Sequence, residues 1–228
     1  MNFVGMDKLS LLDYEDKVSA VLFCKPCNMR CPFCHNGLTV LESDDQISWE
    51  YVLDYLKTRK GILDAVVFTG GEVTLMPDLK EKIKQVRDMG FLIKMDTNGT
   101  NPEILKDLLK DNLIDYVAMD IKNSKEKYPI TTGCKCNFFD KVHESYEILL
   151  SSGLPFELRT TLINEYHEET DMEEIGKAFK DTPKMYLQKF VEREGCIKKG
   201  LHEVSEDQAN KFKSILEKYM SKVELRGY

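Results

Sequence analysis

Val18-Ser19-Ala20-Val21-Leu22-Phe23-Cys24-Lys25-Pro26-Cys27-Asn28-Met29-Arg30-Cys31-Pro32-Phe33-Cys34 runs an apolar, strand-like stretch straight into four cysteines, with His35 and Asn36 next. A short apolar run bounded by a proline-bearing turn is the signature of a strand buried on both faces of a parallel sheet. Cys27, Cys31 and Cys34 form a C-x3-C-x2-C triplet on the loop that follows it. Three thiolates are one ligand short of a closed metal site, so a centre held this way keeps one position open.

Further along the chain the same alternation repeats. Strands are expected at Ala65 to Thr69, Leu92 to Asp96, Tyr116 to Ile121, Phe156 to Ile163, Tyr186 to Phe190 and Val223 to Leu225. Helical segments separate them. Asp78 with Glu81 has the capping-box pattern, followed by Leu79, Ile83 and Val86 at helical spacing and a stop at Gly90. Asn101-Pro102 reads as N-cap plus first-turn proline for a helix to about Asp111, and Ser205 with Gln208 opens another with Ala209, Phe212, Leu216 and Tyr219 on one face. The run Glu168 to Glu174 reads as the acidic first turn of a helix. Strand–helix alternation of this kind predicts an α/β fold with right-handed crossovers. About six such units suggest a partial (β/α)6 barrel with an added C-terminal helix and short strand. Periodicity alone leaves a doubly wound sheet open, and both architectures put active residues at the carboxyl ends of strands.

Those ends carry a consistent set of polar and glycine signatures. After the cysteine loop come Thr69-Gly70-Gly71-Glu72, Asp96-Thr97-Asn98-Gly99, Asp120 with Lys122, and Arg159 within the next strand. Each has an ordinary structural reading by itself: a tight Gly-Gly turn, an Asn-Gly turn, a surface ion pair, a solvated strand end. His143, His167 and His202 sit in polar surroundings and read as surface residues, while His35 adjoins Cys34. The cysteines are different, because crowded thiolates need a cation to hold them. Cys24-x2-Cys27 with Cys31-x2-Cys34 can be read as two zinc knuckles, but only three residues separate Cys27 from Cys31. Zinc also leaves the other strand-end signatures without a purpose. A three-cysteine iron–sulfur cluster with one open iron gives them one.

The composition fits a single domain over residues 1–228, with a core of about 17–190 and a C-terminal extension of about 191–228. Hydrophobic residues make up 42% and the formal charge is −7, so the chain has ample core and no basic stripe for nucleic acid. The absence of a leader or an apolar run of spanning length predicts a cytoplasmic protein with no membrane partner, in a compartment where clustered cysteines bind metal or do redox chemistry.

Cys27-x3-Cys31-x-Phe33-Cys34 resembles the signature of the radical S-adenosylmethionine (SAM) enzymes, and Cys31-Pro32-Phe33-Cys34-His35-Asn36 is similar to their glycyl-radical-enzyme activases. Thr69 to Glu72, Asp96 to Gly99, Met119-Asp120-Ile121-Lys122 and Leu225-Arg226-Gly227-Tyr228 follow in the order seen in activating proteins of anaerobic ribonucleoside-triphosphate reductase. The resemblance implies that Cys27, Cys31 and Cys34 ligate a [4Fe–4S] cluster whose fourth iron is chelated by SAM. It places Phe33 by the adenine, and Gly70, Gly71 and Glu72 at the methionyl amine. Asp96, Thr97 and Asp120 would border a monovalent cation, with Lys122 and Arg159 near cofactor and substrate peptide. It further implies reductive cleavage to a 5′-deoxyadenosyl radical, hydrogen abstraction from a glycine Cα on a glycyl radical enzyme, and a low-potential donor such as flavodoxin or ferredoxin. A pyruvate formate-lyase-like partner, a small-molecule substrate such as a deazapurine precursor, and a zinc module are the alternatives. Two positions depart from the pattern: Val73 stands where proline is common, and Cys24 where a small hydroxyl residue is more usual. Cys134, Cys136 and Cys196 lie outside the signature.

Overall fold

The computed structural model describes residues 3–37 and 46–228. Among the described residues eight strands form one sheet, ordered as they occur in the chain: β1 (Phe3–Ser10), β2 (Ser19–Cys24), β3 (Ala65–Gly70), β4 (Leu92–Thr97), β5 (Tyr116–Asp120), β6 (Phe156–Leu162), β7 (Met185–Lys189) and β8 (Val223–Arg226). Helices α1 (Trp49–Lys57), α2 (Leu79–Asp88), α3 (Pro102–Lys110), α4 (Tyr128–Thr132), α5 (Phe139–Ser152), α6 (Glu169–Ala178) and α7 (Glu206–Leu216) lie between them. A doubly wound sheet would reverse its strand order at a switch point. This order never reverses, as in a (β/α) barrel-type α/β fold, and β2 to β7 with their helices are the six expected units. Pairing is parallel for β2–β3, β3–β4, β6–β7 and β7–β8. β1, which sequence periodicity did not pick out, is antiparallel to β2.

The described residues divide into two compact units. One comprises residues 3–28, 46–97 and 103–117, the other residues 29–37, 98–102 and 118–228. In the first, both faces of β2 are covered: Ala20, Val21 and Leu22 are fully buried, and Val21 packs with Ala65, Val67 and Tyr14. Ser48 caps α1 by accepting from Tyr51 N–H at 3.1 Å, and Val52 and Leu56 supply its buried face. The expected capping box of α2 does not form. Asp78 has φ −106° and ψ 17°, outside the extended region a capping side chain requires, and its carboxylate pairs with Lys82 one turn on.

In the second unit, the acidic start of α6 is a cap rather than a loose dipole effect. Asp171 is buried, accepts from Glu168 N–H at 2.8 Å, and also binds Ser124 Oγ and Lys127 Nζ at 2.7 Å each. Ser205 caps α7, with Ala209, Phe212 and Leu216 buried. That helix ends before Tyr219, whose hydroxyl donates to Glu173 at 2.6 Å. Among the described residues no helix is long and apolar enough to cross a membrane.

Candidate active site

In the first unit, the ends of β2, β3 and β4 carry Cys24, Cys27, Gly70, Gly71, Glu72, Asp96 and Thr97. The two glycines are required by a backbone-to-backbone approach. Gly70 has φ +108°, and a Cβ there would lie 2.5 Å from Cys24 N. One on Gly71 would lie 2.5 Å from Pro26 O. With side chains absent, Gly71 N–H donates to Cys24 O at 2.8 Å and Glu72 N–H to Pro26 O at 3.0 Å. The Gly-Gly-Glu segment is thereby zipped to the first residues of the cysteine loop.

Glu72 is fully buried, and one carboxylate oxygen accepts from Thr74 N–H (3.1 Å), Thr74 Oγ1 (2.5 Å) and Thr97 Oγ1 (2.7 Å). Its side chain thus caps the 3₁₀ turn Val73–Leu75. This cap fixes the turn that proline would otherwise stiffen at Val73, which is itself fully buried. Thr69 Oγ1 donates to Asp96 at 3.1 Å, and Lys94 lies 3.5 Å from the other Asp96 oxygen. The Cys24 thiol is buried, and burial, with Glu72 next, pushes its pKa up to about 12. It stays protonated.

In the second unit, Cys31 and Phe33 are buried and Cys34 is half-buried on the loop 29–37. Burial raises the Cys34 pKa, against the pull of Asn36 N–H and the Lys122 charge. At the end of β5, Asp120 bridges two cations: Lys122 Nζ at 2.9 Å and, from β6, Arg159 Nε at 2.9 Å. Burial opposes charge on Asp120, but Lys122 and Arg159 outweigh it and hold its pKa at about 2. Burial likewise opposes charge on Lys122, yet Asp120 and then Cys31 keep its pKa above the ordinary value. The surface reading of the Asp120–Lys122 pair gives way to a partly buried triad.

A depressed carboxyl stabilises the fold fully above its unfolded pKa and loses that contribution as pH falls through the folded value. Asp120 therefore contributes about 2 kcal/mol that disappears between pH 3.8 and about 2. Urea unfolding across this range is expected to show that slope in the native protein and a flatter one in Asp120→Asn.

His167 is a correction to its surface reading. It is buried, Ile163 N–H donates to Nδ1 at 3.0 Å, and Nε2 lies 2.9 Å from Lys122 O. The accepting Nδ1 assigns the proton to Nε2, so the ring anchors the main chain of Lys122. Burial holds its pKa low and the ring neutral. No periodic signal marks this histidine, since its partner lies 45 residues away. His143 and His202 are partly and largely exposed, as expected. Asn98-Gly99 is a built turn: Asn98 Oδ1 accepts from Thr100 N–H and Oγ1, and Gly99 has φ +72° with Met119 Sδ 2.6 Å from where a Cβ would sit.

None of the seven cysteines is in a disulfide. Among the described residues no three His, Cys, Asp or Glu side chains are gathered as a preformed metal cage. The donor set is nonetheless the soft thiolate set that suits iron–sulfur clusters, and loading it would release thiol protons. The glycine zip holds the start of that loop to Glu72.

This sequence matches the radical SAM superfamily over residues 21–178. A protein of Methanocaldococcus jannaschii assigned as a glycyl-radical enzyme activating enzyme is 34% identical over 97% of this chain and 94% of its own. The pyruvate formate-lyase-activating enzyme of Clostridium pasteurianum is 30% identical over 63% of this chain and 62% of its own. A solved domain of a pyruvate-formate lyase-activating enzyme from Bacteroides vulgatus superposes with a TM-score of 0.57 over 72% of this chain and 99% of its own; at 17% identity it speaks for the fold alone. The chain belongs to the radical SAM superfamily. Within it, the chain groups with the glycyl-radical enzyme activating enzymes.

Proposed function

We propose that this enzyme installs a glycyl radical on an anaerobic ribonucleoside-triphosphate reductase, acting as one radical SAM domain over its whole length. The observation that carries the activase reading is the 34% identity, end to end, with a relative assigned to that activity. The reductase as partner rests on the Cys-His-Asn extension at Cys34-His35-Asn36 and on Arg226-Gly227-Tyr228. Cys27, Cys31 and Cys34 would hold a [4Fe–4S] cluster and leave one iron to the amine and carboxylate of SAM. When bound, the pair supplies a 5′-deoxyadenosyl radical that takes a hydrogen atom from a glycine Cα.

The protein's part is orientation and exclusion. Gly70, Gly71 and Glu72 would receive the methionyl amine, and Phe33 would cover the adenine. Asp120 is held ionised between Lys122 and Arg159, so this group presents fixed charge rather than a proton to the cofactor. Asp96 and Thr97 with Asp120 would border a monovalent cation beside the cofactor carboxylate. Flavodoxin or ferredoxin would supply the electron.

A second reading, activation of a pyruvate formate-lyase-like enzyme, is favoured by the Clostridium relative. Electron paramagnetic resonance after anaerobic mixing with each candidate separates the two. The expected result is a glycine-centred doublet on the reductase. A doublet only on the lyase-like enzyme transfers the assignment, and none on either overturns the activase reading.

A further inference from the structure

Tyr128 opens α4 and is, with Tyr146, among the largest fully buried side chains of the described residues. Its ring packs edge-on against Phe139 at 5.6 Å, which an apolar ring would do equally well. Its hydroxyl, however, is buried without a hydrogen-bond partner. Buried polar groups are almost always paired, so each orphan calls for a reason.

The surroundings of this hydroxyl are specific. Burial raises its pKa and so do Cys31 and Asp120 through space, while Lys122 and its main chain, near but outside hydrogen-bond geometry, pull the other way. The balance keeps the phenol protonated, a donor with no acceptor. The same short helix is docked on the residue just before Cys31. Arg30 N–H donates to Thr132 O at 2.9 Å, and a Cβ on Gly133 would lie 2.2 Å from Arg30 O. Asn123 Nδ2 donates to Thr131 Oγ1 at 3.0 Å, tying α4 to the segment just past Lys122. The helix is thus fixed both to the loop at Arg30, next to Cys31, and to the segment just past Lys122, and it carries a buried O–H with no partner.

We infer that in the loaded enzyme the Tyr128 hydroxyl donates a hydrogen bond to the Cys31 thiolate sulfur and so raises the reduction potential of the cluster. The inference rests on Cys31 being a cluster ligand. A donor to a ligand sulfur favours the more negative, reduced cluster, and hydrogen bonding to sulfur is one of the levers that sets such potentials. Lys122 shares its charge with Asp120, whereas the Tyr128 proton has no other claimant.

The test compares the full-length protein and Tyr128→Phe, both reconstituted anaerobically with iron and sulfide and assayed for iron and sulfide per chain. The cluster is then titrated by electron paramagnetic resonance without SAM. Tyr128→Phe is expected to load fully and to show about a tenfold smaller reduced-to-oxidised ratio at a fixed potential, a shift of about 59 mV for a one-electron couple. A fully loaded variant with an unchanged potential overturns the inference while leaving the ligand assignment standing. A native protein that loads no cluster overturns both. If Tyr128→Phe fails to fold or load, 3,5-difluorotyrosine introduced at position 128 keeps the shape and strengthens the donor. It is expected to raise the potential, and an unchanged or lower value overturns the inference.

Discussion

Anaerobically reconstituted Cys31→Ala is expected to lose its visible sulfur-to-iron absorption and to cleave SAM no faster than cluster-free protein. Replacing a residue that merely supports a metal ligand commonly costs roughly 10–100-fold in metal affinity or activity. Removing one of three ligands leaves two thiolates and should exceed that. Cys24 lies close by in sequence, but burial and Glu72 disfavour its thiolate. Cys24→Ala is therefore expected to load and to cleave SAM like the native protein. Native-like SAM cleavage by Cys31→Ala would sink the ligand assignment, and loss of the cluster in Cys24→Ala would redraw it.

Gly70→Ala is expected to destabilise the protein by about 3 kcal/mol, from an unfavourable backbone conformation together with overpacking. The backbone at φ +108° is one that L side chains rarely adopt. The added Cβ would also meet Cys24 N at 2.5 Å and Cys24 O at 2.8 Å, backbone atoms in a paired strand that cannot swing away. Gly90→Ala separates the two effects. Its φ is +97°, but nothing lies within 4 Å of the new Cβ, so only the conformational part, about 1 kcal/mol, is expected. Urea denaturation of the two variants measures the difference. Equal losses would mean that the zip between Gly70 and the cysteine loop yields easily.

Much of this was legible because the chemistry and the strand ends coincide in sequence. Each of the seven expected strands formed, and the boundaries moved by one residue at most, because Val/Ile/Leu runs buried on both faces leave little choice of structure. β1 escaped notice for the opposite reason. Its residues Asp7, Lys8 and Leu9 are exposed on an edge strand, so it carries no continuous apolar run. The cysteine triplet, Gly70-Gly71-Glu72 and the Asp120–Lys122 pair could be found by spacing. Their partners could not: Arg159 reaches Asp120 across 39 residues, His167 reaches Lys122 across 45, and Tyr128 shows its orphaned hydroxyl only once the chain is folded. The glycines were legible in sequence as a tight turn; that Cys24 and Pro26 backbone passes within 2.5 Å of where a Cβ on Gly70 or Gly71 would sit shows only in the folded chain.

The protonated Cys24 has a consequence for how the enzyme is assembled. Four cysteines in a row could misdirect an incoming iron, since Cys24-x2-Cys27 has the same spacing as Cys31-x2-Cys34. Burial and Glu72 push the Cys24 thiol up to about 12, so ligation through Cys24 would have to displace a firmly held proton. On the proposed ligand assignment, the fold would thereby steer its own maturation away from Cys24 before any cofactor has arrived.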